Sequence, residues 1–205
     1  MIDTSKKFLV AGAGKSGIGS VNLLLKTGAD VSLYDGNEEL DKEALFEKLY
    51  EKKEISLVLG NITKEDIEKY DLLVLSPGIS VNAPIAQMFY DQEKPVWSEI
   101  ELAYQASKGK IAAITGTNGK TTTTALTGEI MKGYYESSFV VGNIGIPYTS
   151  VALDTQENSV ITAEISSFQL ETIVDFKPDV CAVLNITPDH LDRHGTVEVY
   201  AKTKE

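Results

Sequence analysis

The sequence predicts an α/β fold in two parts, a doubly wound parallel sheet followed by an incomplete α/β unit built on a phosphate-binding loop. Three observations predict it. Short apolar runs rich in Val, Leu and Ile alternate with stretches of helical periodicity, which implies parallel strands joined by crossover helices. A glycine-rich turn, Gly12-Ala13-Gly14-Lys15-Ser16-Gly17, follows the first run, and a second one, Gly116-Thr117-Asn118-Gly119-Lys120-Thr121-Thr122, follows the fifth.

Residues 8–11 make the first strand. Lys6-Lys7 ahead of them superficially resembles the start of a signal peptide, but Gly12 and Gly14 cut the apolar run short. A helix over 18–27, a strand over 31–34, a helix over 38–52, a strand over 57–59, a helix over 63–69, a strand over 72–75 and a helix over 83–92 complete a first domain, residues 1–94. The charged, proline-bearing Glu93-Lys94-Pro95 breaks the pattern and opens a second domain, residues 95–205. It begins with an amphipathic helix over 98–107 capped by Ser98. Strand 111–115, helix 120–132, strands 138–141, 159–164 and 179–186, and a helix from about Thr196 follow. Residues 197–205 keep helical character with no glycine or proline stop, so the polypeptide is expected to end inside an element, as a truncated chain does. No internal repeat or low-complexity tract is visible.

At 205 residues the chain can bury a full core. Its 42% hydrophobic and 24% charged content is that of a globular protein, and no apolar run reaches the roughly 18 residues of a membrane span. A formal charge of −11 repels nucleic acid and anionic membrane surfaces, and no basic patch offsets it. The single cysteine, Cys181, allows no internal disulfide, fits a reducing compartment and is expected to be a small buried strand residue.

The first glycine turn opens a helix, and Asp35 stands eighteen residues beyond Gly17 at the end of the next strand. That is the pattern of a Rossmann-like dinucleotide site: room for a tight turn, close approach of backbone to phosphate, and a carboxylate for ribose hydroxyls. Ser76-Pro77-Gly78-Ile79 follows the fourth strand and should open on the same crevice, which suits a nucleotide or nucleotide sugar. A glycine connection chosen for helix packing, and a plain β-turn, remain the simpler alternatives.

The second turn reads G-x-x-G-K-T, with Ile114 where the longer phosphate-loop pattern has its first glycine. Freed backbone N–H groups, the positive helix end and the Lys120 ammonium converge there on a polyphosphate. Glu164 ends an apolar strand, where a carboxylate needs a cation or a donor network, and Mg²⁺ beside ATP phosphates would supply it. His190 lies in a loop after the last strand; His194 is expected at the surface.

G-T-N-G-K-T-T, G-N-I-G, S-S-F-Q-L-E and N-I-T-P-D-H-L-D-R-H occur in that order behind G-x-G-x-x-G and S-P-G. The set resembles the Mur ligases of peptidoglycan synthesis along nearly the whole chain, and S-S-F-Q-L-E resembles the branch that adds D-glutamate. The resemblance implies a cytoplasmic enzyme whose first domain binds UDP-N-acetylmuramoyl-L-alanine and whose second binds ATP with two Mg²⁺ ions. A carboxy-terminal domain, largely holding D-glutamate, would be absent here. By matching positions, Ser16, Gly17, Asp35, Gly36, Ser76 and Gly78 would hold the uridine diphosphate, and residues 116–122 the ATP phosphates. Lys120 would be the phosphate lysine, Thr121 a Mg²⁺-ligating hydroxyl, Asn143 a residue shared by both sites, and Glu164 and His190 ligands of the second Mg²⁺. Ser166 and Gln169 would line the substrate channel. Tyr200-x-x-x-Lys204 resembles the spacing of the family's carbamylated lysine, with Lys202 as the neighbouring alternative. A carbamate binds Mg²⁺ where a lysine ammonium would repel it.

The implied chemistry is phosphoryl transfer from ATP to the substrate carboxylate, followed by attack of the D-glutamate amine on the acyl phosphate. The chain alone is expected to bind nucleotide without turning over. Two other readings stay open: an NAD-dependent oxidoreductase resting on Gly12, Gly14, Gly17 and Asp35, and a different amino-acid-adding ligase of the same family.

Overall fold

The computed structural model describes residues 2–143 and 145–205, so Ile144 of the G-N-I-G motif lies outside the described residues. Two parallel sheets carry the chain. In the first, strands β1 (Lys7–Ala11), β2 (Asp30–Asp35), β3 (Ser56–Leu59), β4 (Leu72–Leu75) and β5 (Val96–Ser98) lie in the order β3-β2-β1-β4-β5. In the second, β6 (Lys110–Thr115), β7 (Ser138–Gly142), β8 (Val160–Glu164) and β9 (Val180–Val183) lie in the order β7-β8-β6-β9. Every pairing is parallel, so the carboxyl ends of all strands in a sheet share one edge.

Helix α1 (Lys15–Thr27) shows why the first unit closes well. Val21, Leu23, Leu24 and Leu25 are buried, and the helix ends on Gly28 at φ 80°, where Gly28 N–H donates to Leu25 O and Ala29 N–H to Leu24 O. A left-handed glycine satisfies the last carbonyls without Cβ strain. Helix α2 (Lys42–Phe46) is much shorter than the helix expected over 38–52. Asn37 N–H donates to Asp35 Oδ1 and Glu39 N–H to Asn37 Oδ1, so side-chain turns compete with the helix before Asp41 caps it. Beyond α2, Glu51 and Lys52 sit at φ 55° and 52°, which ends helical continuity in a 3₁₀ turn.

Helices α3 (Lys64–Ile67), α4 (Pro84–Asp91) and α5 (Glu99–Ala106) complete this half. The Ser98 cap forms as expected, its hydroxyl accepting from Glu101 N–H at 3.2 Å. Strand β5 was not anticipated; it adds residues 96–98 to the first sheet, beyond the boundary placed at 94 and 95. The apolar core runs from Phe8, Val10 and Leu24 through Ile100 and Leu102 to Ile111, Val141 and Ile161 without a break between the sheets. Close approach of α1 to the 3₁₀ turn Tyr148–Ser150 requires Gly19, whose Cβ would lie 2.6 Å from Thr149 Oγ1.

In the second half, α6 (Lys120–Tyr134) follows β6, short helices α7 (Ser167–Leu170) and α8 (Leu191–His194) flank the sheet edge, and α9 (Val197–Lys204) is capped by Thr196. Cys181 is exposed, contrary to expectation. It lies in β9, the edge strand, where Val180 and Val183 are also open to solvent. Among the described residues no helix is long and apolar enough to cross a membrane.

Glycine 17 is the tightest point of the first turn, because a Cβ there would lie 1.8 Å from Gly12 O. Gly17→Ala should cost about 3 kcal/mol in urea unfolding. Gly14→Ala, whose Cβ would meet nothing within 4 Å, should leave the midpoint nearly unchanged; equal losses in the two variants would contradict this packing.

Candidate functional site

The sheet order β3-β2-β1-β4-β5 reverses direction between β1 and β4, and a ligand crevice forms outside that switch point. Gly12, at φ 98°, follows β1 and donates its N–H to Tyr34 O. A Cβ on it would come within 2.9 Å of Ser76 Oγ, so the two expected turns touch. Asp35 holds the first turn in shape: Oδ2 accepts from Ala13 N–H at 2.7 Å and Oδ1 from Asn37 N–H at 2.9 Å. Gly14 begins α1 with open space on its Cβ side and no side-chain cap, leaving the helix N-terminus for an anion.

A cavity of about 590 Å³ fills this crevice. Its walls include Ser16, Asp35, Gly36, Ser76 and Gly78 from the first half, and Asn143 and Gln169 from the second. Gly17 is not on the wall; it packs beneath the turn against Gly12 O. Gln169 is buried and does structural work as well, its Oε1 accepting from Ser166 N–H and Oγ–H while its Nε2 donates to Glu99 Oε1 at 2.6 Å. Ser166 thereby caps α7 and faces a second, smaller cavity.

That second cavity, about 240 Å³, is lined by Lys120, Asn143, Ser166, Phe168, His190 and Lys204 among others. Asn143 therefore borders both. Gly116 and Gly119 take φ 143° and 83°, conformations that only glycine adopts without strain, and they turn the loop into α6. Thr117 and Asn118 are already engaged: Thr117 N–H donates to Asn185 O and Asn118 N–H to Asn185 Oδ1, each at 2.9 Å. The donors left for phosphate are those of the first turn of α6, Lys120, Thr121 and Thr122, which precede its first intrahelical bond, Thr123 N–H to Gly119 O. Lys120 Nζ folds over the loop and donates to Gly116 O and Thr117 O at 2.9 Å. Thr121 is exposed at this helix start.

Glu164 ends β8 and is 1% exposed. Its Oε1 accepts from Asn143 Nδ2 at 2.9 Å, and its Oε2 has no partner among the described residues. A buried carboxylate oxygen without a donor is costly, and a cation reached past Asn143 would relieve it. His190 takes the left-handed conformation at φ 51°, a strained choice for a non-glycine residue, and its exposed ring lies 4.7 Å from that of Phe168. No group of three or more His, Cys, Asp or Glu stands together among the described residues. The donor set accordingly fits a hard cation only if phosphate oxygens and a hydroxyl such as Thr121 complete the shell, which is how Mg²⁺ is commonly held.

Lys204, not Lys202, reaches this cavity. Lys202 is exposed, whereas Lys204 is buried, donates to Thr115 Oγ1 at 3.0 Å and lies 4.9 Å from the Tyr200 ring. Burial, then the nearby Lys120 ammonium, push its amine down to about 8, against the pull of Asp189.

His194 is buried rather than at the surface. Its Nε2 lies 3.0 Å from Ser167 Oγ and its Nδ1 3.6 Å from Glu171 Oε1, with Phe168 and Tyr200 rings on either side. Burial lowers its basicity, with Glu171 opposing. Arg193, Glu99 and Glu171 were also not anticipated as part of the site. Glu171 closes the S-S-F-Q-L-E motif and Arg193 and His194 close the N-I-T-P-D-H-L-D-R-H motif, but nothing local indicated what they would meet.

Comparison with known proteins adds to this geometry. The family description "Mur ligase MurD-like, N-terminal domain" matches residues 6–98, and "Mur ligase middle domain" matches residues 114–205. UDP-N-acetylmuramoylalanine--D-glutamate ligases of Lachnospira eligens and Lachnoclostridium phytofermentans are 57% and 55% identical, over 98% and 97% of this chain. The chain spans 44% of the length of each. Among solved structures, UDP-N-acetylmuramate-alanine ligase of Thermotoga maritima superposes at TM-score 0.56 with 22% identity, covering 97% of this chain and 46% of its own, which supports the fold.

The Lys204 amine should titrate in NMR of ¹³C-dimethylated lysines with a midpoint near 8, and Lys204→Met should remove that signal. The unfolded chain, with lysine near 10.5, binds more protons between the two values, so stability should rise with pH across that window. A midpoint above 10 would contradict the burial.

Proposed function

The chain belongs to the Mur ligase family, and from that membership we propose that it is the uridine-nucleotide-binding and ATP-binding part of a ligase that adds D-glutamate to UDP-N-acetylmuramoyl-L-alanine. One observation carries the proposal: two cavities, one walled by nucleotide-binding turns and the other by a phosphate loop, meet at Asn143. The first domain, extended by β5 to residue 98, holds the uridine diphosphate at the α1 N-terminus through Ser16, Asp35, Gly36, Ser76 and Gly78, with Gly17 packed beneath the turn. The second holds ATP on the loop 116–122.

The sugar and its acyl chain then run past Asn143, Ser166 and Gln169 towards the phosphate loop. The γ-phosphoryl of ATP passes to the substrate carboxylate, giving an acyl phosphate and ADP, and attack by the D-glutamate amine expels inorganic phosphate. Lys120 and the first N–H groups of α6 balance charge on the phosphoryl oxygens where it develops. Thr121, Glu164, His190 and Lys204 are the residues that would hold Mg²⁺, which supplies charge neutralisation of the phosphates when bound. Lys204 suits that role as a carbamate: its amine, readily uncharged in this buried setting, combines with CO₂, releases a proton and becomes an anion. The chain spans 44% of the length of the D-glutamate ligases it matches, and turnover is assigned to the complete polypeptide.

Calorimetric titration of the chain with UDP-N-acetylmuramoyl-L-alanine, ATP with Mg²⁺, and NAD in parallel should give heat with the first two only. Tight NAD binding with silence from the others would favour the oxidoreductase. In the complete enzyme, Lys120→Ala should lower kcat on the order of 10²–10³-fold; near-parental turnover would remove Lys120 from its role.

A further inference from the structure

Arg193 joins the two halves at a point that neither cavity accounts for. Its side chain is 11% exposed and that of Glu171 9%. Nε donates to both oxygens of Glu171 at 3.0 and 3.2 Å, Nη1 donates to Pro77 O at 2.8 Å, and Nη2 donates to Ile79 O at 3.0 Å and to Glu171 Oε2. The guanidinium plane also lies over the Phe168 ring, 4.0 Å from its centroid. Pro77 and Ile79 belong to the turn after β4 that walls the larger cavity, whereas Phe168 walls the smaller one and packs at a tilt against His190. Arg193 lines neither cavity and touches a wall of each.

The connection is short and stiff. His190 and Arg193 are the N-cap and third residue of α8, and Arg193 N–H donates to His190 O at 3.0 Å. Any displacement of α8 that moves the His190 ring must carry the carbonyls of residues 77 and 79 with it or break their bonds to the guanidinium. Glu171 keeps the cation in place and extends the contact to His194, which in turn bonds Ser167 at the start of α7. A planar fork that serves a carboxylate and two diverging carbonyls at once is a task for Arg; Lys cannot satisfy all three groups.

We propose that Arg193 is a positioning residue that couples the two cavities: occupancy of the uridine-nucleotide crevice, by ordering the turn 76–79, sets the placement of α8 and His190 beside the phosphate loop, and occupancy of the loop feeds back on the crevice. This rests on the functional reading above. Coupling of this kind is reciprocal, so it is measurable from binding alone.

The test is a thermodynamic cycle on the 205-residue chain. Affinity for UDP-N-acetylmuramoyl-L-alanine is titrated with and without saturating Mg²⁺ and a non-hydrolysable ATP analogue, in the parental chain, Arg193→Lys and Arg193→Ala/Glu171→Gln. The double variant avoids leaving Glu171 charged and unpaired, and circular dichroism checks that each variant is folded. In the parental chain the nucleotide should change the affinity by at least roughly fivefold, and in both variants the ratio should fall towards one while each ligand still binds separately. A parental ratio of one, or a parental ratio retained in the double variant, overturns the coupling. Failure of the parental chain to bind either ligand overturns the functional reading itself, and the coupling with it.

Discussion

A carboxylate taken out of water organises the centre of this molecule. Glu164 sits at the end of β8, between the ends of β6 and β7, and among the described residues only one of its side-chain oxygens has a partner. The neighbouring strand is fastened to it twice, because Asn143 N–H donates to Glu164 O and Asn143 Nδ2 to Glu164 Oε1, each at 2.9 Å. Gly142 makes the approach possible, since a Cβ there would lie 2.1 Å from Glu164 O. The residue that borders both cavities is therefore fixed by the buried acid, and the remaining oxygen gives that acid a standing demand for positive charge.

A second pair of acids shows how much depends on partners. Glu99 and Glu101 both lie buried in the first turn of α5. Glu101 Oε2 accepts from the N–H groups of Val174, Asp175 and Phe176, three donors that together replace water. Glu99 Oε1 accepts from Gln169, its Oε2 has no partner among the described residues, and burial pushes it up to about 7. Glu101 thereby ties the loop before β9 to the first half of the chain, while Glu99 braces the Gln169 that faces the larger cavity from behind. The same residue type, two positions apart in one helix, serves as an anchor in one case and as a lightly held support in the other.

Much of the fold was legible because its causes are local. Apolar runs located β1, β2, β4, β6 and β8, and Ser98 was readable as a cap and Thr196 as a helix start, because capping chemistry involves neighbours in sequence. The glycine turns were legible too, since a phosphate loop is defined by spacing. What failed was decided elsewhere. The helix over 38–52 broke because Asp35 and Asn37 spend their oxygens on nearby backbone. Strand β5 is three residues long and exists because β4 offers it a free edge. Cys181 was placed inside on the strength of its apolar neighbours, but exposure of β9 follows from its position in the sheet order. His194 and Arg193 looked like ordinary polar residues of a loop, and their burial comes from Glu171, Ser167 and the turn after β4, between 22 and 116 residues away in sequence.

The electrostatics of the smaller cavity follow from the same geometry. Lys120 and Lys204 both border it, and the Lys120 ammonium disfavours a charge on Lys204. Lys120 Nζ donates to two carbonyls of its own loop, whereas Lys204 is bonded to a single hydroxyl, and burial together with the nearby Lys120 ammonium lowers its basicity. The cavity thus carries two lysine side chains, with Asn143 as the wall residue that leads from it to Glu164. The strain of His190 at positive φ belongs to this arrangement as well, because an αL residue can point its ring into the cavity while its own carbonyl receives the N–H groups of Arg193 and His194.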